Sequence, residues 1–198
     1  MIVFRLSNYD TPFPPAPSRR AGRFSIEGGP VANYWCLHPH GPWAERMRWE
    51  GVSDAQTAAQ LRGRVWAARI ENADPVHVGF DQAADHGLSP GEMVADDYEP
   101  CQQAADRWRA AGVAAVIVPS AALPGTENLI AFGQRLAVAW LGPVTDSDLD
   151  VPSALAADGA APPLDVVNHV RHYGTAHAGV LAHERSEPFS YRQRVEVS

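Results

Sequence analysis

A chain of 198 residues, 45% hydrophobic and 20% charged, has the balance of an ordinary globular protein and is long enough to bury its own core. Its formal net charge of -7 argues against a general nucleic-acid or membrane surface, and no apolar run reaches the roughly 18 residues of a membrane span. Two cysteines make neither a disulfide framework nor a zinc site, and the start MIVFRLSNYD is too polar for a signal peptide, so a soluble cytoplasmic protein is expected.

In chain order, the apolar run Ile2 to Leu6 predicts a strand, followed by the proline-rich loop TPFPPAPSRR. Residues 23–37 read as two short strands joined across IEGGP, where Gly28 and Gly29 supply the positive φ of a tight connection. GPWAERMRWEG reads as a helix with Pro42 at its first position and Gly51 at its end. SDAQTAAQLRG has the form of a capping box, Ser53 with Gln56. RVWAARI and VHVGF have strand composition, and EPCQQAADRWRAAG, opened by Pro100 and closed by Gly112, is the clearest helix. AAVIVPS, NLIAFG and RLAVAWLG continue as strands.

Short strands mixed with about three helices, without regular βαβ alternation, predict an α+β fold. A shift to Asp, Ala and Pro in TDSDLDVPSALAADGAAPPLD reads as a linker and divides the chain into 1–144 and a C-terminal extension, 145–198, that packs on the core. In the extension, VVNHVRHYG reads as a short helix and SYRQRVEV as a strand.

Classical phosphate, metal and nucleophile motifs are absent: the sequence has no Walker A, Rossmann glycine fingerprint, HExxH or GxSxG. What stands out is Arg23, Tyr34 and Glu45, separated by two equal steps of eleven. Each has a plain alternative: a solvated strand arginine, a half-buried strand aromatic, and a carboxylate in the first turn of a helix, where the macrodipole favours it. All sixteen basic residues are arginine, so any basic phosphate contact uses a planar guanidinium that can bind through two donors. The eight histidines show no metal-ligand spacing and are expected to be solvated or structural, with His38 or His40 at a pocket mouth.

Four blocks, in order, resemble the RES-domain family: VFRLS; GRF with a glycine turn and NYW; WAE; and WRAAGVAAVIVPSAALPGTENLIAFGQR. The resemblance covers about residues 2 to 141. After Gly-Arg the family has Trp-Asn, where this chain has Phe24 and Ser25.

The resemblance implies an ADP-ribosyltransferase-like core of short, mostly antiparallel strands with a few helices, and a bacterial, toxin-type enzyme that consumes NAD. NAD would be a substrate, with no cofactor and no metal. The implied partners are NAD, phosphate and a helix-turn-helix antitoxin; a homodimer is an open assembly, and no nucleic acid or membrane contact is implied.

The chemistry then assigns candidate roles. Cleaving the nicotinamide–ribose bond creates a cationic centre, which Glu45 can offset. Tyr34 can stack on nicotinamide, and Arg23 and Arg5 can grip the diphosphate. Ser120 and the weaker candidate Asn128 can bind the nicotinamide amide or ribose. NAD degradation by water or phosphate is favoured; mono-ADP-ribosyl transfer to a protein and a non-catalytic nucleotide- or partner-binding module are the alternatives.

Overall fold

The computed structural model describes residues 1–7, 12, 20–70, 74–133, 141–143 and 159–191. Among them, seven strands form one sheet: β1 (Ile2–Leu6), β2 (Ala32–Cys36), β3 (Val65–Ile70), β4 (Val76–His77), β5 (Ala115–Pro119), β6 (Glu127–Phe132) and β7 (Leu141–Pro143). Their spatial order is β4-β5-β6-β2-β1-β3-β7. Every pairing is antiparallel except β4 with β5. The fold is the α+β class that the mixture of elements predicts.

The period-two pleat separates the sheet's faces. Val116, Val118 and Ile130 join a core with Phe24, Trp108 and helix α4 (Glu99–Ala110). Their neighbours Ala115, Ile117, Leu129 and Ala131 pack with Val3 and Trp35. The same alternation puts Tyr34 on the α4 side and Trp35 on the other. Helix α4 buries Cys101, Ala104, Ala105 and Trp108, the i, i+3, i+4, i+7 stripe of an amphipathic helix.

Helix α1 (Gly41–Glu50) ends at Gly51, whose φ of 69° closes it in the left-handed region. Its start is seated directly on β2: a Cβ on Gly41 would lie 2.6 Å from the Cβ of Cys36. That approach fixes where α1 carries its side chains over the sheet. Met47 is fully buried, a contribution of about 1.5–3 kcal/mol. It packs with Trp43, Leu123, Val166 and Val167. The last two belong to the 3₁₀ turn Leu164–His169, so this part of the C-terminal segment shares a core with α1.

Several local expectations change. Residues 23–37 hold one strand; Gly22–Ser25 is a turn closed by reciprocal backbone hydrogen bonds, with Arg23 at its apex. Helix α1 starts at Gly41, so Pro42 is second and Glu45 fifth, outside the first turn that the macrodipole favours. Helix α2 (Ala55–Ala58) is capped by Asp54, which accepts from Thr57 N, and Ser53 takes no part. VHVGF keeps only the two-residue β4, because a 3₁₀ helix, Phe80–His86, starts after Gly79.

Helices α3 (Pro90–Val94) and α5 (Ala178–Glu184) were not anticipated. In α3, Ser89 and Glu92 form the reciprocal cap that a Ser-x-x-Glu spacing encodes. Most of RLAVAWLG, residues 145–158 of the expected linker, and 192–197 of the final expected strand lie outside the described residues.

His177 shows how the C-terminal segment is locked. Its Nδ1 accepts from Val180 N and caps α5, while Nε2 donates to Ser120 O. Burial drives its pKa down from 6.5 to about 4. The folded value lies below the unfolded one, so the unfolded chain binds the extra proton between them. Stability is therefore full above pH 6.5 and falls as pH drops toward about 4. Burial depresses His38 and His40 in the same direction. Thermal melts across this window should show the decline, and His177→Gln should flatten it.

Candidate active site

A cavity of about 410 Å³ opens where α1, the Gly22–Phe24 turn and strands β1, β2 and β6 meet. That volume lies within the range of small-molecule sites. Arg5, Arg23, Tyr34, Glu45 and Asn128 all line it. Ser120 does not: it is fully buried, and its Oγ accepts a hydrogen bond from Leu123 N.

Glu45 points from the second turn of α1. Its Oε1 accepts from Asn128 Nδ2 at 3.0 Å. Asn128 stands on β6 opposite Cys36 of β2, so sheet register sets its position. Its Oδ1 is buried with no hydrogen-bond partner among the described residues. A buried amide oxygen left in this way is a ready acceptor for a ligand hydroxyl or amide. Burial and the nearby Glu45 charge push the Cys36 thiol up, so it stays protonated and apolar.

Tyr34 is held at its tip. Its hydroxyl accepts from Phe24 N at 2.9 Å and hydrogen-bonds Ser25 Oγ at 3.0 Å. Burial raises its pKa, so the hydroxyl remains neutral. The contact also dictates a glycine: a Cβ on Gly22 would lie 2.6 Å from the Tyr34 hydroxyl. The eleven-residue step from Arg23 to Tyr34 thus joins a turn to the strand that braces it.

Arg23 donates Nη1 to Ala95 O at 2.6 Å, and its guanidinium lies 4.8 Å from the centre of the Tyr98 ring. Arg5 comes from β1, with its guanidinium 5.7 Å from the centre of the Trp35 ring. The arrangement is a carboxylate held by an amide beside guanidinium groups and a fixed aromatic face. It can hold an anion through planar donors and stabilise positive charge next to it.

Sequence reasoning missed four residues around this cavity. Arg48 lines it one turn beyond Glu45, at the i+3 spacing that shares a helix face, and that spacing was readable. Tyr98 and Tyr173 also line it. They meet through their hydroxyls at 3.2 Å across 75 residues of sequence, a separation with no local signal. Asp96 accepts from Arg48 at 2.6 Å and from Arg171 at 2.8 Å through Oδ1, and from Gly174 N at 2.6 Å through Oδ2. His38 lines a separate groove with His177 and His183, and His40 packs against Tyr191; neither lines the Glu45 cavity.

The chain is similar to a Mycobacterium tuberculosis protein named as a probable NAD(+) phosphorylase, 31% identical over 121 residues. That match covers 61% of this chain, and the matched stretch spans 57% of the relative's length. It is also similar in fold to a chain in the crystal structure of the M. tuberculosis MbcT–MbcA toxin–antitoxin complex, with a TM-score of 0.55 and 16% identity. That likeness covers 67% of this chain and 73% of the other. A family model described as the RES domain matches residues 2–154, well over half the chain. The chain belongs to the RES-domain family.

Proposed function

We propose that this protein degrades NAD by cleaving the bond between nicotinamide and ribose, with phosphate as the acceptor and water as the competing one. The observation that carries the reading is Glu45, held by Asn128 inside a cavity lined by arginines and Tyr34. The relative's name as an NAD(+) phosphorylase supports phosphate. The toxin–antitoxin complex supports a toxin restrained by a protein partner, for which an antitoxin with a helix-turn-helix domain is our proposal. The same reading keeps residues 1–144 as the catalytic domain and 145–198 as an extension. Among the described residues no helix is long and apolar enough to cross a membrane, and a cytoplasmic site of action fits a toxin that acts on NAD.

In this mechanism the C1–N bond to nicotinamide breaks and its electron pair neutralises the pyridinium. Glu45 offsets the charge that builds on the ribose, and Asn128 keeps the carboxylate aimed. Arg23 and Arg5 hold the diphosphate, and the Tyr34 ring supports the departing nicotinamide. A phosphate oxygen then bonds to C1, giving ADP-ribose phosphate; attack by water, with loss of its proton, gives ADP-ribose. Incubation of purified protein with NAD, with and without phosphate, followed by product masses, tests the proposal. Intact NAD would refute it. ADP-ribose attached to protein would favour a mono-ADP-ribosyltransferase.

Arg23→Lys keeps the charge and loses the planar fork that spans Ala95 O, the Tyr98 ring and the cavity. NAD binding is expected to weaken by roughly 1–3 kcal/mol, as for a lost charged hydrogen bond. Calorimetric titration would measure it, and unchanged affinity would remove Arg23 from the site.

A further inference from the structure

The cavity has one wall that comes from outside the matched family region. Tyr173 lies beyond residues 2–154, yet it lines the cavity beside Tyr98. Tyr173 is 44% exposed, so burial of apolar surface does not explain its position. Polar contacts do. Gly174 N and Arg171 Nη1 both donate to Asp96, and Arg171 Nε donates to Thr175 O at 2.9 Å. The Tyr173 ring lies 4.3 Å from the Arg48 guanidinium, and its hydroxyl meets that of Tyr98. Burial and the neighbouring Tyr173 raise the Tyr98 pKa to about 12, so the Tyr98 hydroxyl stays neutral.

The side chains fall into an order. Glu45 reaches from α1 to Asn128 on the sheet, where Tyr34 also stands. Arg23 comes next, close enough for its charge to act on Tyr34, while its other side faces Tyr98. Arg48 likewise sits one helical turn from Glu45 and touches Tyr173. The sequence is carboxylate, guanidinium groups, aromatic pair. A dinucleotide presents the same order: the ribose of the scissile bond, the diphosphate, then a flat base.

Building on the functional reading above, we propose that Tyr173, with Tyr98, forms the subsite for the adenine end of NAD, so that a residue outside the family match sets preference for a dinucleotide. Base–aromatic stacking supplies the affinity. Asp96 and Arg171 are positioning residues that hold the Tyr173 loop.

The test compares Tyr173→Ala and Tyr173→Phe with wild type on NAD and on nicotinamide mononucleotide, which lacks the adenylate half. Tyr173→Ala should raise KM for NAD roughly ten- to hundredfold, the range of one lost stacking contact. Its kcat for NAD and its kinetics on the mononucleotide should stay within about twofold. Tyr173→Phe keeps the ring and should retain most of the NAD affinity. Equal losses on both substrates, or an unchanged KM for NAD, would overturn the subsite. A wild-type protein that cleaves neither substrate would instead refute the functional reading. ADP-ribose titration then reads the subsite by itself: weaker binding to Tyr173→Ala supports it, and equal binding overturns it.

Discussion

Glu45→Gln is expected to lower NAD turnover by about 10²–10³, the scale for removing one electrostatic contact to a transition state. The substitution keeps size and shape. Its amide still meets Asn128, now as amide to amide, so the local packing of α1 on the sheet persists. What disappears is the negative charge that offsets a ribose cation. That charge matters more in the transition state than in the bound substrate, so kcat should fall while NAD affinity changes much less. Steady-state kinetics with a binding titration separates the two. Unchanged turnover would remove Glu45 from the chemistry, and loss confined to KM would make it a binding residue.

Asp96→Ala is expected to produce the largest loss of stability. Arg48 and Arg171 are nearly buried, with side-chain exposures of 3% and 8%, and both donate to the Asp96 carboxylate. Burial opposes ionisation of Asp96, but Gly174 N–H, Arg171 and Arg48 outweigh it and hold its pKa below the usual range. Its stabilising contribution is therefore present above pH 3.8 and is lost as pH falls below that. Removing the carboxylate leaves two guanidinium groups facing each other without their shared anion. Breaking a buried pair in this way costs about 3–5 kcal/mol. Asp96 is 32% exposed, so solvent screening places the loss toward the lower end.

For a chain of this size that loss is a fall of roughly 6–15 °C in Tm. Thermal denaturation measures it. Arg171→Met added to Asp96→Ala should restore part of the loss, because it removes one of the stranded charges. An Asp96→Ala melt equal to wild type would mean that the two arginines find other partners.

Much of the fold was legible because it rests on local patterns. The Pro100–Gly112 frame and the Cys101, Ala104, Ala105, Trp108 stripe define α4, and the apolar runs at 2–6, 65–70 and 115–119 form strands. Where the reading failed, a local contact competed with propensity. The Tyr34 hydroxyl takes Phe24 N and helps hold residues 22–25 as a turn, and Gln82 binds Gly79 N as the 3₁₀ helix that ends β4 begins.

The site divides along the same line. Arg5, Arg23, Tyr34, Glu45 and Asn128 could be named from motif blocks because each sits in or beside a regular element whose register carries it to the cavity. Ser120 has the same motif support, but the chain turns its hydroxyl inward to Leu123 N. Asp96 and Tyr98 have no local sequence relation to Arg171 and Tyr173, which lie 75 residues further on. They meet because a carboxylate, two buried guanidinium groups and a backbone N–H satisfy each other across the fold. By itself the sequence determined the longer elements and five residues that line the cavity, Arg5, Arg23, Tyr34, Glu45 and Asn128, since propensity and periodicity act over a few residues. Only the tertiary structure decided which distant residues complete its wall, because buried charges must find partners wherever the packed chain supplies them.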